Sequence, residues 1–69
     1  MPIISVVLAE GRTSEKKSGF IRAITDAAVS SLGVRPEQVR VILNEMPLEH
    51  YAVGGVTFAE SNPSAGTQS

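Results

Sequence analysis

"PIISVVLA", residues 2–9, decides the fold. It is rich in β-branched residues and is stopped by Glu10-Gly11-Arg12, so it reads as a strand. Ile4, Val6 and Leu8 fall on one face; Ile3, Ser5, Val7 and Ala9 fall on the other. Both faces are mostly apolar, and a strand of that kind is covered on both sides. Working outward, Thr13 or Ser14 offers a helix N-cap, and residues 15–32 carry a helical pattern. Phe20, Ile21, Ile24, Ala27, Ala28, Ser31 and Leu32 recur at spacings of three and four and define its apolar face, with Lys16, Lys17, Arg22 and Asp26 mostly on the other. Gly33 is suited to end the helix in a left-handed conformation, and Pro36 argues against its continuing through the connector 34–38. "VRVILNE", residues 39–45, is a second strand. Two strands joined through a long helix form a β-α-β unit, which requires parallel strands and a right-handed crossover. Gly54-Gly55 lies between two short apolar pieces and predicts a tight hairpin over about 51–58. The fold class is therefore α/β (α+β): a β-α-β protomer with a short C-terminal hairpin. Residues 1–60 form the domain, and 61–69, without apolar periodicity, read as a flexible polar tail.

Size and composition narrow the function. A chain of 69 residues is at most one domain and buries a small share of its surface, so it needs a staple or a partner. It has no cysteine and one histidine, which excludes disulfides and multi-histidine metal clusters. Net charge is −1, with three aromatic residues and no basic run, so no nucleic-acid-tracking groove is expected. The apolar run Ile3–Ala9 is too short to cross a membrane and has no basic segment before it, which makes cytoplasmic the default location. Association between copies remains as the source of burial, because one helix covers one sheet face and leaves the other open.

Four residues carry candidate chemistry. Pro2 follows Met1 directly; a strand start tolerates proline, but removal of Met1 would also leave Pro2 with a free secondary amine that can act as a base. Arg12 stands at the end of the first strand, where it is either a solvated turn residue or an anion ligand. Arg40 stands within an apolar strand and must reach solvent, an interface carboxylate or a substrate anion. Tyr51 is either a packing residue of the hairpin or the wall of a pocket. A base with two cations describes a site for a small dianionic acid. His50 reads as a surface or hydrogen-bonded residue, and Glu10 and Glu45 as solvated or cap-pairing groups at strand ends.

Taken together, "MPII" at the start, "LAEGRTSEKK" at 8–17, "VRVILNEM" at 39–46 and "HYAVGG" at 50–55 resemble the 4-oxalocrotonate tautomerase family of the tautomerase superfamily, over residues 1–55. The resemblance implies a β-α-β protomer that dimerises through its sheets and assembles as a homohexamer, a trimer of dimers. It implies interconversion of enol and keto acids without a cofactor. Position by position, Pro2 resembles the catalytic amino-terminal proline. Arg12 resembles the arginine that binds the distal carboxylate. Arg40 resembles the arginine that a neighbouring chain supplies to the 2-hydroxy or 2-keto end. Tyr51 falls where the family has a pocket-walling phenylalanine and adds a hydroxyl to it.

The chemistry is consistent with those residues. A terminal amine titrates near about 8 in the open. An apolar pocket and nearby guanidinium groups lower that value toward working pH, where general acid–base catalysis is most effective. With Met1 in place, by contrast, the Pro2 nitrogen is a tertiary amide with no basicity. The expected function is a tautomerase acting on 2-hydroxydienoate-type dicarboxylic acids such as 2-hydroxymuconate. Hydrating or dehalogenating relatives add a carboxyl group near the hairpin, whereas no acid lies between His50 and Val56 here. A non-catalytic, carboxylate-binding oligomer is the alternative from outside enzymology.

Overall fold

The computed structural model describes residues 1–61; the expected tail lies, from residue 62 on, outside the described residues. Strand β1 (Ile3–Ala9) leads through helix α1 (Ser14–Leu32) to strand β2 (Arg40–Met46). The strands pair in parallel, with Ile3 opposite Arg40 and Ala9 opposite Met46. Thr13 caps α1, its hydroxyl accepting from the Lys16 N–H at 3.2 Å. Gly33 ends the helix at φ 70°, its N–H bonded to the Val29 carbonyl. Pro36–Gln38 form a single 3₁₀ turn in the connector, where the Gln38 side chain accepts from the Arg35 N–H at 3.0 Å.

Helix α1 covers one face of the sheet, with Ile4, Val6, Leu8, Val41 and Leu43 half-buried beneath it. The stripe it turns inward differs from the expected one. Lys17, Ile21, Ile24, Thr25, Ala28 and Val29 are buried or half-buried, whereas Phe20, Ala27, Ser31 and Leu32 are exposed. The reason is width: only two strands lie under the helix, so a narrow stripe suffices. Lys17, expected on the polar face, reaches across to Glu45 at 3.1 Å and ties the first turns of the helix to β2. Glu45 is thus an ion-pair partner between elements rather than a solvated strand end.

The opposite sheet face has no cover among the described residues. Ile3 and Val7 are each 65% exposed and Ile42 is 49% exposed. Between them Asn44 Nδ2 donates to Ser5 Oγ at 3.4 Å. Ala28, 7% exposed, is the one buried hydrophobic residue among those described, so the described residues have almost no core.

Beyond β2, Leu48–His50 make a 3₁₀ turn and lead into the hairpin of β3 (Ala52–Val53) and β4 (Val56–Thr57). Gly54 and Gly55 take φ 60° and 85°, the paired positive angles of a two-residue hairpin turn. The hairpin read over 51–58 is shorter than expected, because Phe58–Ser61 form a short helix, α2. Thr57 and Glu60 cap it reciprocally: the Thr57 N–H donates to Glu60 Oε2 at 2.9 Å and the Glu60 N–H to Thr57 Oγ1 at 3.2 Å. Hairpin, α2 and the 48–50 turn pack chiefly on one another. The radius of gyration is 14.9 Å, against roughly 11 Å for a compact chain of this length. The molecule is elongated, as a protomer shaped by its neighbours would be.

Candidate active site

Pro2 is half-buried at the open end of β1, directly behind Met1, which is largely exposed. Its carbonyl accepts from the Arg40 N–H at 3.0 Å, so the residue just before β1 is fixed beside the first residue of β2. Proline fits here because its missing N–H falls outside the ladder. Arg40 pairs in register with Ile3 and, by strand alternation, shares the open face with Ile42. Its side chain is exposed, and Nη1 donates to the Glu37 carbonyl at 3.2 Å. Pro2 and Arg40 are thus brought to one end of the sheet.

Arg12 is not. It lies past the other end of β1, where Nη1 donates to the Ala9 carbonyl at 3.3 Å. Ala9 lies seven residue steps beyond Pro2, roughly 23 Å at the usual rise. No side chain spans that distance, so the two groups cannot meet within one chain. Around Arg12 the surface is hollowed, with a volume of about 360 Å³ lined by Leu8, Arg12, Lys16 and Phe20. Tyr51 stands on the hairpin arm, apart from that hollow, with its ring edge-on to Phe58 at a centroid separation of 5.9 Å.

Phe58 is the residue that sequence reasoning did not single out. The Gly-Gly turn contained the signal: pairing outward from it sets Val53 against Val56, Ala52 against Thr57, and then Tyr51 against Phe58. The Phe58 N–H donates to the Tyr51 carbonyl at 2.7 Å, which continues that register.

A β-α-β protomer with an open apolar sheet face, a proline just before its first strand and an arginine at each end of the sheet has the architecture of the small β-α-β enzymes whose chains pack sheet to sheet. The chain belongs to the tautomerase family: residues 2–61 match the family model described as tautomerase enzyme. It is 44% identical over 55 residues to a 2-hydroxymuconate tautomerase of a Pseudomonas species (strain CF600), covering 80% of this chain and 87% of that one. In structure it is similar to a 4-oxalocrotonate tautomerase isozyme from Methylibium petroleiphilum, with TM-score 0.85 and 48% identity over 93% of this chain and all of that one. It is also similar to a subunit of a heterohexameric 4-oxalocrotonate tautomerase from Chloroflexus aurantiacus, with TM-score 0.82 and 37% identity over 87% and 97% of the two chains.

Proposed function

We propose that this tautomerase interconverts the enol and keto forms of 2-hydroxydienoate-type dicarboxylic acids, 2-hydroxymuconate among them, with the amine of Pro2 as the acid–base group after removal of Met1. The observation that carries the reading is the position of Pro2. It is half-buried, held by its carbonyl to the Arg40 N–H at 3.0 Å, and stands directly after an exposed methionine. The amine takes the proton of the enol hydroxyl and returns it to a carbon of the conjugated chain. Nothing is oxidised or lost, so no redox partner enters the reaction. Arg12 binds the distal carboxylate, Arg40 stabilises charge growing on the 2-oxygen, and Tyr51 walls the pocket.

The strand length makes association part of the site. Since Pro2 and Ala9, on whose carbonyl the Arg12 guanidinium rests, are roughly 23 Å apart in one chain, a second copy supplies the missing arginine. The edge of β1 away from β2 has no partner among the described residues. A two-fold pairing of that edge with its own copy runs the strands antiparallel and sets the far end of one β1, with Arg12, near Pro2 of the other. The open face bearing Ile3, Val7 and Ile42 and the projecting hairpin supply further contacts, and the hexamer, a trimer of dimers, is the assembly that uses all three. In that assembly Arg40 and Tyr51 also serve sites shared between chains.

The test is direct. Protein shown by intact mass to lack Met1 is mixed with 2-hydroxymuconate, and the loss of dienol ultraviolet absorbance is followed. Conversion well above the buffer rate is expected. An equal rate from protein whose amino terminus is extended, so that the Pro2 nitrogen is an amide, rules out the amine. Protein that binds a dicarboxylate without converting the enol is the carboxylate-binding oligomer instead.

A further inference from the structure

We infer that Phe58 is a positioning residue of this site: its ring holds Tyr51 in the orientation in which Tyr51 walls the pocket. The inference deepens the proposed function and rests on its placement of Tyr51. The Tyr51 backbone is fixed on both sides. Its N–H donates to the Leu48 carbonyl at 3.4 Å, and its carbonyl accepts from the Phe58 N–H at 2.7 Å. Neither bond restrains the side chain. The Tyr51 hydroxyl has no hydrogen-bond partner among the described residues, and the residue is 45% exposed. What meets its ring is Phe58, with centroids 5.9 Å apart and planes inclined at 67°. That is an edge-on geometry which aromatic pairs prefer, inside their usual separation of about 4.5–7 Å.

Phe58 is the better anchored of the two rings. It is half-buried and opens α2, which the reciprocal bonds between Thr57 and Glu60 close at 2.9 and 3.2 Å. Helix α2 packs in turn on the 48–50 turn that leads into Tyr51. One end of the arm therefore carries Tyr51, and the other returns to bring up the ring that stops it swinging. The consequence for the reaction is specific. A wall that swings is in place for only a fraction of the time, and the apparent affinity for a ligand falls by that fraction. Once substrate is bound the wall is in place, and the proton transfer runs as before. Loss of the Phe58 ring is thus read in KM rather than in kcat.

The experiment uses the assembled, Met1-free protein and the variant Phe58→Leu, which removes the ring and keeps the backbone N–H that bonds to Tyr51. KM for 2-hydroxymuconate should rise about two- to ten-fold, the scale of an aromatic pair, with kcat unchanged. In a Tyr51→Leu background the same substitution should have no further effect on KM, which isolates the pair. Phe58→Tyr, which restores a ring, should return KM to the wild-type value. Tyr51 is the one tyrosine of the chain and there is no tryptophan, so the tyrosine band in near-ultraviolet dichroism reports this side chain alone. That band should weaken in Phe58→Leu. An unchanged KM with an unchanged band overturns the role of Phe58. A fall in kcat together with assembly overturns it too, since that marks a structural effect, as does a KM that stays raised in Phe58→Tyr. If the wild type converts no enol, the tautomerase reading fails, and calorimetry with adipate, an unreactive diacid, takes the place of KM. Weaker adipate binding in Phe58→Leu, absent from the Tyr51→Leu background, would then still support the positioning role; unchanged binding, or none by the wild type, would end it.

Discussion

Val7→Asp is the substitution that most sharply tests association. Val7 sits in the middle of β1 on the face away from α1, 65% exposed in the single chain, between Ile3 and the Ser5–Asn44 bond on one side and the sheet end on the other. Full burial of a valine side chain contributes about 1.5–3 kcal/mol, so covering the exposed two-thirds contributes about 1–2 kcal/mol. A two-fold interface repeats the contact, which makes the loss about 2–4 kcal/mol per pair of chains, or roughly 30- to 700-fold in the dissociation constant. A buried aspartate adds a desolvation cost to this figure. Sedimentation across a concentration series, with tautomerase activity and far-ultraviolet dichroism on the same samples, reads the effect. The variant should dissociate at concentrations where the wild type is fully assembled, and activity and helical signal should fall together. A monomeric protein predicts the opposite, since an exposed sheet position changes stability by no more than about 0.5 kcal/mol. A wild-type 7.3 kDa species with full activity, or a Val7→Asp variant with unchanged association, would refute the reasoning.

Other predictions concern the site and the arm. Blocking the Pro2 nitrogen with an amino-terminal extension should lower kcat by about 100-fold or more, the usual range for a lost general acid–base group, with assembly unchanged by sedimentation. Arg12→Ala should act mainly on KM and Arg40→Ala mainly on kcat, because the first contact exists in ground and transition states and the second strengthens as charge develops. If Pro2 and Arg12 come from different chains, refolding an equal mixture of amino-terminally extended protein with Arg12→Ala protein should restore about a quarter of wild-type activity, as half the dimers are mixed and each has one intact site; no recovery would place both groups in one chain. Gly55→Val should disrupt the turn, since φ is 85° there and a β-branched residue is strained at that angle, and gel filtration should show the loss in assembly.

The parts of this molecule that were legible in its sequence are those fixed by near neighbours. Strand β1 is marked by its β-branched run, α1 by the Thr13 cap and Gly33 stop, and the parallel pairing by the helix between the strands. Misreadings arose where a residue's environment depends on what lies across from it. The spacing of Phe20, Ala27 and Leu32 is helical, but a sheet of two strands covers a narrower stripe and leaves Phe20 and Leu32 outside, while Lys17 turns inward because Glu45 faces it. The start of α2 was passed over for a different reason. Thr57 and Glu60 have the spacing of a capping box, but the hairpin pattern around Gly54-Gly55 claimed the same residues first. The site follows the same division. That Pro2 and Arg40 share one end of the sheet follows from the parallel register. Where Arg12 acts does not, because the strand that separates it from Pro2 also makes the two groups useless to each other within a chain. On the proposed function, the length of β1 turns a fold too small to bury a core into a site too long for one protomer, and association would answer both needs with one set of contacts.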